Sequence, residues 1–108
     1  MNAQAGPVED PPRYIGRRRM FEDETPVAWQ VMPQHAPVGA ADGSDIGTSE
    51  SLLADLDEDI FHGIVMKRKQ DGEKVEIPAR RITRITTRRV ITDLTASEAE
   101  SLAPYRER

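Results

Sequence analysis

The amino-acid sequence predicts an all-β domain: a small antiparallel β-barrel, closed or partly open, with a short C-terminal helix. The first observation is a pair of Asp-Gly steps, Asp42-Gly43 and Asp71-Gly72, each lying between runs of alternating apolar residues. Asp-Gly tolerates the positive φ angles of a tight two-residue hairpin, so each step predicts two antiparallel strands. The second observation is the stretch Thr95-Ala96-Ser97-Glu98, a capping-box pattern that marks the start of a helix.

Composition limits the size and the class of the protein. The chain has 108 residues, a length suited to one domain, of which 37% are hydrophobic and 31% charged. We therefore expect one modest core that does not extend along the whole chain. No apolar run approaches the length of a membrane span, and residues 1–10 lack the pattern of a secretory signal. The expectation is a cytoplasmic protein without membrane contact.

Residues 1–26 are predicted to form a flexible N-terminal arm, followed by a β-domain over residues 27–105. Prolines interrupt the arm, and its apolar residues follow neither helical nor strand spacing. One apolar and basic island, residues 14–21, can be a disordered tail or a segment that orders on a partner. The island supplies the candidate partner contacts Tyr14, Arg17, Arg18 and Phe21.

An extended segment is predicted at the start of the β-domain. Val27, Trp29 and Val31 alternate along the chain and would share one face of such a segment. Trp29 is the only tryptophan, and we expect its ring to pack in the core rather than to stack on a ligand.

Four strands are predicted around the two Asp-Gly steps. They begin at Val38 and Ile46 on either side of the first step, and at Ile60 and Val75 on either side of the second. Pro78 ends the fourth strand because it has no N–H for the ladder.

A turn, a last strand and a helix complete the predicted domain. Ile82 and Ile85 are three residues apart, a spacing that favours a helical turn or bend. The pattern of residues 89–94 predicts a strand, and the capping box at Thr95 predicts a short helix that ends before Pro104.

The acidic loop between the second and third predicted strands has part of the pattern of a calcium site. Asp55, Asp57 and Asp59 have the spacing of the first three ligands of a calcium-binding EF-hand loop. Such a loop needs Gly where Ile60 stands and a bidentate Glu where Met66 stands. A solvated acidic loop is therefore the favoured interpretation.

No pattern of catalytic or cofactor-binding residues is present in the sequence. The chain has no cysteine and only two histidines, His35 and His62, too few for a zinc site without further ligands. It also lacks a nucleophile elbow and a glycine-rich phosphate loop. We therefore expect no catalytic residues, no metal, no cofactor and no enzymatic activity.

An arginine-rich stretch is the strongest functional indication. Residues 80–89 contain five arginines and no acidic residue, in a chain of net charge −4. The arginines are Arg80, Arg81, Arg84, Arg88 and Arg89. They can be neutralised within the protein, contact phosphates of a nucleic acid, or dock an acidic protein surface, that of a second copy included. Nucleic acid is disfavoured because residues 75–100 contain no aromatic side chain for base stacking.

Several stretches together resemble the PRC-barrel family, over about residues 26–105. The similarity lies in residues 26–29, 37–48, 59–64, 77–82 and 90–95. These are packing and turn motifs. The resemblance implies a small β-barrel that serves as an assembly module, without catalytic or ligand-binding positions to transfer to this chain.

The function expected from these observations is non-catalytic protein–protein interaction. The island in the arm and the arginine-rich stretch would supply the contacts, with a protein as the partner. Homo-oligomerisation is a further hypothesis, since residues 27–74 carry nine acidic and four basic side chains, opposite in sign to residues 80–89. The alternative is an RNA- or ribosome-associated module that uses Arg80 to Arg89.

Overall fold

A computed structural model describes residue 21 and residues 23–106 of the protein. The predicted contact residues Tyr14, Arg17 and Arg18, and residues 1–20 of the predicted arm, lie outside this description. The strands are β1 (Pro37–Gly39), β2 (Asp45–Asp55), β3 (Ile60–Arg68), β4 (Lys74–Pro78), β5 (Ile82–Ile85) and β6 (Val90–Thr92). They are joined by two short 3-10 turns, Trp29–Val31 and Ala79–Arg81, and followed by one helix, α1 (Ala96–Glu100).

The strands form a single six-stranded sheet in the order β4-β3-β2-β1-β6-β5. The all-β class and the short C-terminal helix are therefore confirmed. The sheet is not closed, and the neighbours β1 and β6 run parallel while the other pairs are antiparallel. The neighbours β1 and β6 are thus separated in the sequence by four strands, β2 to β5.

Both Asp-Gly steps reverse the chain as predicted, but neither is a two-residue turn. Ala40 N–H donates to Ser44 O at 2.8 Å, so residues 41–43 form the loop, with Gly43 at φ 89°. The Asp42 carboxylate accepts from the backbone N–H and the hydroxyl of Ser44 at 2.9 and 2.7 Å, which stabilises the longer loop. At the second step the closing bond joins Arg68 N–H to Glu73 O, so that loop is also longer.

The sequence predicts a helical turn or bend at Ile82 and Ile85, and the helical turn is wrong, because these residues bound strand β5. The pairing of β5 with β6 shifts register between Ile82 and Arg84. A bulge of this kind adds a residue to one strand and so breaks strict alternation. Both isoleucines can therefore face the core, where Ile85 is 6% exposed and Ile82 packs against the buried cluster.

The extended segment predicted for residues 27–31 is also wrong. A 3-10 turn covers Trp29–Val31, and successive residues in such a turn point about 120° apart rather than to opposite faces. Val31 is consequently 66% exposed. Trp29 packs against the core, as expected, and its ring stacks on Phe61 with centroids 5.3 Å apart and planes within 9°.

The buried cluster contains residues from every strand of the sheet and includes Ala99 of α1. Val38, Ile64, Met66, Ile77 and Val90 are each 0% exposed, and they come from β1, β3, β4 and β6. Burial of aliphatic side chains is the main stabilising term for such a sheet.

The helix is placed by its predicted capping box. Thr95 Oγ1 accepts from Glu98 N–H at 3.0 Å, and Glu98 Oε1 accepts from Thr95 N–H at 2.9 Å. Ala99, at 3% exposure, then seals the core. The capping-box prediction is confirmed.

Neighbouring segments cover both outer edges of the sheet. Val27 N–H donates to Ile85 O at 2.8 Å and Thr87 N–H donates to Thr25 O at 3.0 Å, so residues 25–27 pair with the outer edge of β5. Residues 103–105 pair with the outer edge of β4 through bonds at Glu76 and Lys74. Unpaired edges invite association with other strands, and this coverage satisfies their backbone groups.

Candidate functional site on the arginine segment

Residues 80–89, the arginine segment, pass from the second 3-10 turn through β5 to the turn before β6. Arg80 and Arg88 are exposed, whereas Arg81, Arg84 and Arg89 are half-buried. The structure places four of the five predicted arginines in two clusters and leaves Arg80 outside both: Arg84, Arg88 and Arg89 lie with Phe21 and Glu24, and Arg81 lies with α1.

The first cluster is centred on an ion pair between Arg89 and Glu24. Arg89 Nε donates to both carboxylate oxygens of Glu24 at 3.0 Å, and Arg89 Nη2 lies 3.0 Å from Glu24 Oε2. The two side chains are only 25% and 10% exposed. Forked contacts of a guanidinium with a carboxylate are among the stronger polar interactions in proteins.

Thr86 directs a further hydrogen bond to the same carboxylate. It is 0% exposed, and its Oγ1 accepts from the backbone N–H groups of Arg88 and Arg89 at 3.1 Å each. With those N–H groups as donors, the hydroxyl hydrogen is available to Glu24 Oε1, at 2.9 Å. The turn before β6 therefore holds a preformed donor for a carboxylate.

These contacts lower the pKa of the Glu24 carboxyl below its ordinary value of 4.5. The hydrogen bond from Arg89 is the largest cause; burial opposes it, and the Thr86 hydroxyl and the charges of Arg89 and Arg88 assist. The site therefore favours the ionised form of a carboxyl group.

Phe21 and Arg84 extend the cluster along the chain. The guanidinium carbon of Arg89 lies 3.8 Å from the centroid of the Phe21 ring, a cation–π contact. Arg84 Nη2 donates to the backbone carbonyl of Glu24 at 2.9 Å. Together with the edge pairing of residues 25–27, these contacts hold residue 21 and residues 23–27, called here the docked segment, along β5.

The second cluster ties Arg81 to the end of the fold. Arg81 Nε donates to Asp93 Oδ1 at 2.6 Å and Arg81 Nη2 donates to Glu98 Oε1 at 2.9 Å. The pKa of the Glu98 carboxyl is lowered, first by the backbone N–H of Thr95 and then by Arg81. Arg81 thus contacts the same carboxylate that caps α1, and its positive charge is balanced by two carboxylates of the protein itself.

Sequence reasoning identified the arginines and Phe21 but not Glu24 or Thr86. Glu24 lies in the acidic stretch 22–24 directly after the basic island, and its partner Arg89 is 65 residues away in the sequence. The available signal was the pair Pro26-Val27, which directly follows that stretch and can continue as an edge strand.

A separate apolar surface lies at the tip of the β2–β3 hairpin. Leu56 is 74% and Ile60 45% exposed. Gln30 Nε2 donates to Asp59 Oδ1 at 3.0 Å, which fastens the first 3-10 turn, with its exposed Val31, to this tip. The three side chains, called here the apolar tip, belong to two segments that are held together.

The remaining candidates from the sequence are placed elsewhere. Asp55 ends β2 and residues 56–59 form the β2–β3 turn, where Asp55 Oδ1 accepts from Glu58 N–H at 3.1 Å. Among residue 21 and residues 23–106, no group of three or more potential ligand side chains is arranged to hold a metal ion. His35 is exposed and lies 3.4 Å from Glu50, and exposed His62 lines a groove of about 380 Å³ with Glu76 and Leu102.

A second groove, of about 510 Å³, lies between α1 and the ends of β2 and β3. Its most prominent polar group is Arg68, which donates to the carbonyls of Ala99 and Glu100 at 3.2 and 3.0 Å and pairs with Asp71 at 2.8 Å. These contacts show Arg68 joining α1 to the β3–β4 loop.

Comparison with protein-family models gives no match, and a search of curated proteins finds no match either. Within the part of the chain that the structure describes, no helix has the length and apolar character needed to cross a membrane.

Proposed function

We propose that this chain is a non-catalytic protein-interaction module in the cytoplasm, built on a PRC-type β-barrel. One observation carries the proposal: the arginine segment already binds a stretch of polypeptide. Its guanidinium groups contact a carboxylate, a main-chain carbonyl and an aromatic ring of the docked segment. These are the groups that one protein presents to another, and Arg is enriched at protein interfaces for this reason.

The nucleic-acid alternative has less support from the same geometry. Arg81 and Arg89 pair with protein carboxylates, and Arg84 donates to a carbonyl. Arg80 and Arg88 are the two exposed cations of the segment. Two cations can neutralise few phosphates, so any association with nucleic acid would be weak and would have a shallow salt dependence.

The apolar tip gives a second, independent reason to propose a protein partner. Leu56 and Val31 are 74% and 66% exposed although both are large aliphatic residues. Exposed large aliphatic side chains on two segments that the Gln30–Asp59 hydrogen bond joins favour contact with another protein surface. The two-sided charge of the chain keeps homodimerisation as a hypothesis within this function, and light scattering at low salt tests it directly.

Affinity capture from native cells with the tagged full chain tests the proposal. The test variant is Arg80→Glu with Arg88→Glu, because both side chains are exposed and make no ion pair among the described residues. The matched control is Lys69→Glu with Lys74→Glu, which changes the net charge equally at two exposed positions outside the arginine segment. We expect a specific protein to be recovered with the wild type and the control and lost with the test variant.

A salt titration with a single-stranded RNA oligonucleotide distinguishes the proposed function from the RNA-associated alternative. We expect no measurable association near ~50 mM salt for any of the three proteins. RNA binding that disappears in Arg80→Glu/Arg88→Glu but persists in the control would replace the proposal with the RNA-associated function.

A further inference from the structure

We propose that the outer edge of β5 and the arginine segment form a docking site for an extended segment of a partner protein. The segment would carry an aromatic residue, a carboxylate three positions later and a Pro-aliphatic pair after that. In the isolated chain the docked segment, with Phe21, Glu24, Pro26 and Val27, occupies this site itself. This inference rests on the proposed function and specifies the chemistry of the partner.

The backbone part of the site is the outer edge of β5, which the docked segment covers in this structure. Residues 25–27 add to β5 through two main-chain hydrogen bonds, Thr87 N–H to Thr25 O at 3.0 Å and Val27 N–H to Ile85 O at 2.8 Å. Main-chain bonds of this kind accept any extended peptide and are the basis of recognition by strand addition. They supply affinity and direction but little selectivity.

Selectivity comes from the carboxylate position. Glu24 is 10% exposed, and both of its oxygens are bound by Arg89 while Thr86 donates to one of them. Thr86 belongs to the β5–β6 turn and its hydroxyl is oriented by backbone N–H groups, so this donor belongs to the domain and not to the occupant. A neutral residue at the Glu24 position would leave the Arg89 guanidinium half-buried without its counter-charge, which is unfavourable.

The aromatic position adds a second element of selectivity. Phe21 lies against the guanidinium of Arg89, 3.8 Å from ring centroid to the central carbon. The same arginine therefore contacts both the ring and the carboxylate. An occupant that lacks either group loses part of its interaction with Arg89.

The docked segment can be exchanged without dismantling the domain. The buried cluster is built from residues of all six strands, the residues after β1 and β6, and α1, and none of its members belongs to the docked segment. Of the docked segment, only Val27 packs against that cluster, and it does so partly exposed. A partner segment that displaces the docked segment must therefore replace these local polar contacts. It must also compete with a tethered segment whose effective concentration is roughly millimolar. A partner segment gains full apparent affinity only when this self-contact is weakened.

A peptide titration with the full chain tests the inference. The probe is a fluorescent peptide with the sequence of residues 20–28, and its anisotropy is followed with the wild-type chain and with Glu24→Ala. Glu24→Ala weakens the tethered competitor, so we expect it to bind the probe at least about tenfold more tightly than the wild type does. Asp23→Ala, an exposed neighbouring carboxylate, is the matched chain control and should bind as the wild type does.

Two further titrations make the result specific. A probe with Ala in place of its Glu24 should lose binding to Glu24→Ala, and the double variant Glu24→Ala/Arg89→Ala should lose binding of the original probe. Phe21→Ala, which removes only the ring stacked on Arg89, is titrated in parallel so that the test does not depend on one variant folding.

The inference is overturned if variants that still unfold in a cooperative transition bind neither probe, or bind both equally. Capture of a specific protein through Arg80 and Arg88 alongside that result would leave the proposed function standing without this site. RNA binding through the same arginines would instead remove the proposed function, whatever the peptide does.

Discussion

Arg89 and Glu24 are joined by a forked ion pair although 65 residues of sequence separate them. The pair connects the turn before β6 to the segment that covers the edge of β5. One interaction therefore anchors the segment that covers this sheet edge and neutralises one of the five arginines of the arginine segment. It is also the feature that suggests how a partner would be recognised.

Removal of the Glu24 carboxylate should loosen the docked segment and lower stability. We expect Glu24→Ala to reduce the free energy of unfolding by about 1–3 kcal/mol, because hydrogen bonds to charged groups are lost and Arg89 stays half-buried. Denaturant unfolding of the full chain measures the change. Asp23→Ala serves as control and should lie within about 0.5 kcal/mol of the wild type, since Asp23 is exposed; an equal loss in both variants would contradict the ion pair.

The same contact should depend on pH in one direction. Because the folded pKa of Glu24 is below its ordinary value of 4.5, its stabilising contribution is complete above that value and is lost as the pH falls through the folded pKa. The melting temperatures of the wild type and Glu24→Gln should therefore differ most at neutral pH and converge in acid. The comparison with Glu24→Gln isolates Glu24 from Asp42 and Asp71, whose pKa values are also lowered. A difference that stays constant down to the acid transition would refute the assignment.

The stack of Trp29 on Phe61 should be measurable as a coupling energy. Trp29 is only partly buried, so Trp29→Ala should cost about 2–3 kcal/mol, less than the loss of a fully buried tryptophan. In a double-mutant cycle with Phe61→Ala, the stacked geometry should contribute a coupling of about 0.5–1.5 kcal/mol. Additive single and double variants would mean that the two rings stabilise the fold independently.

Gly63 is the glycine whose replacement should be least tolerated. It has φ 147°, and a Cβ at this position would overlap the backbone carbonyl of Ile77 in the neighbouring strand. Because the obstacle is backbone, β3 and β4 would have to separate, and we expect Gly63→Ala to cost about 1–3 kcal/mol. Gly39→Ala is the control in thermal unfolding, since its Cβ would meet nothing closer than 3.9 Å. Equal melting temperatures for the two variants would contradict this reading of β3.

The local features of the fold could be predicted because their causes are local. The alternation of apolar residues in a strand follows from the two-residue period of the pleat. The Asp-Gly steps predict chain reversals because glycine adopts the positive φ that they require. The capping box at Thr95 consists of two hydrogen bonds within four residues. The predictions were wrong where a bulge or a 3-10 turn changes which face of the chain the following side chains lie on. The bulge in β5 brought Ile82 and Ile85 to the same side, and the 3-10 turn at Trp29 moved Val31 into solvent.

Contacts between distant parts of the chain were decided only by the tertiary structure. The parallel pairing of β1 with β6, the covered edges of β4 and β5, and the choice of Glu24 as the partner of Arg89 all join residues far apart in sequence. Nothing local distinguishes one carboxylate among nineteen acidic residues. Its role depends on which backbone groups and guanidinium groups packing brings to the same place, and that depends on the whole sheet at once.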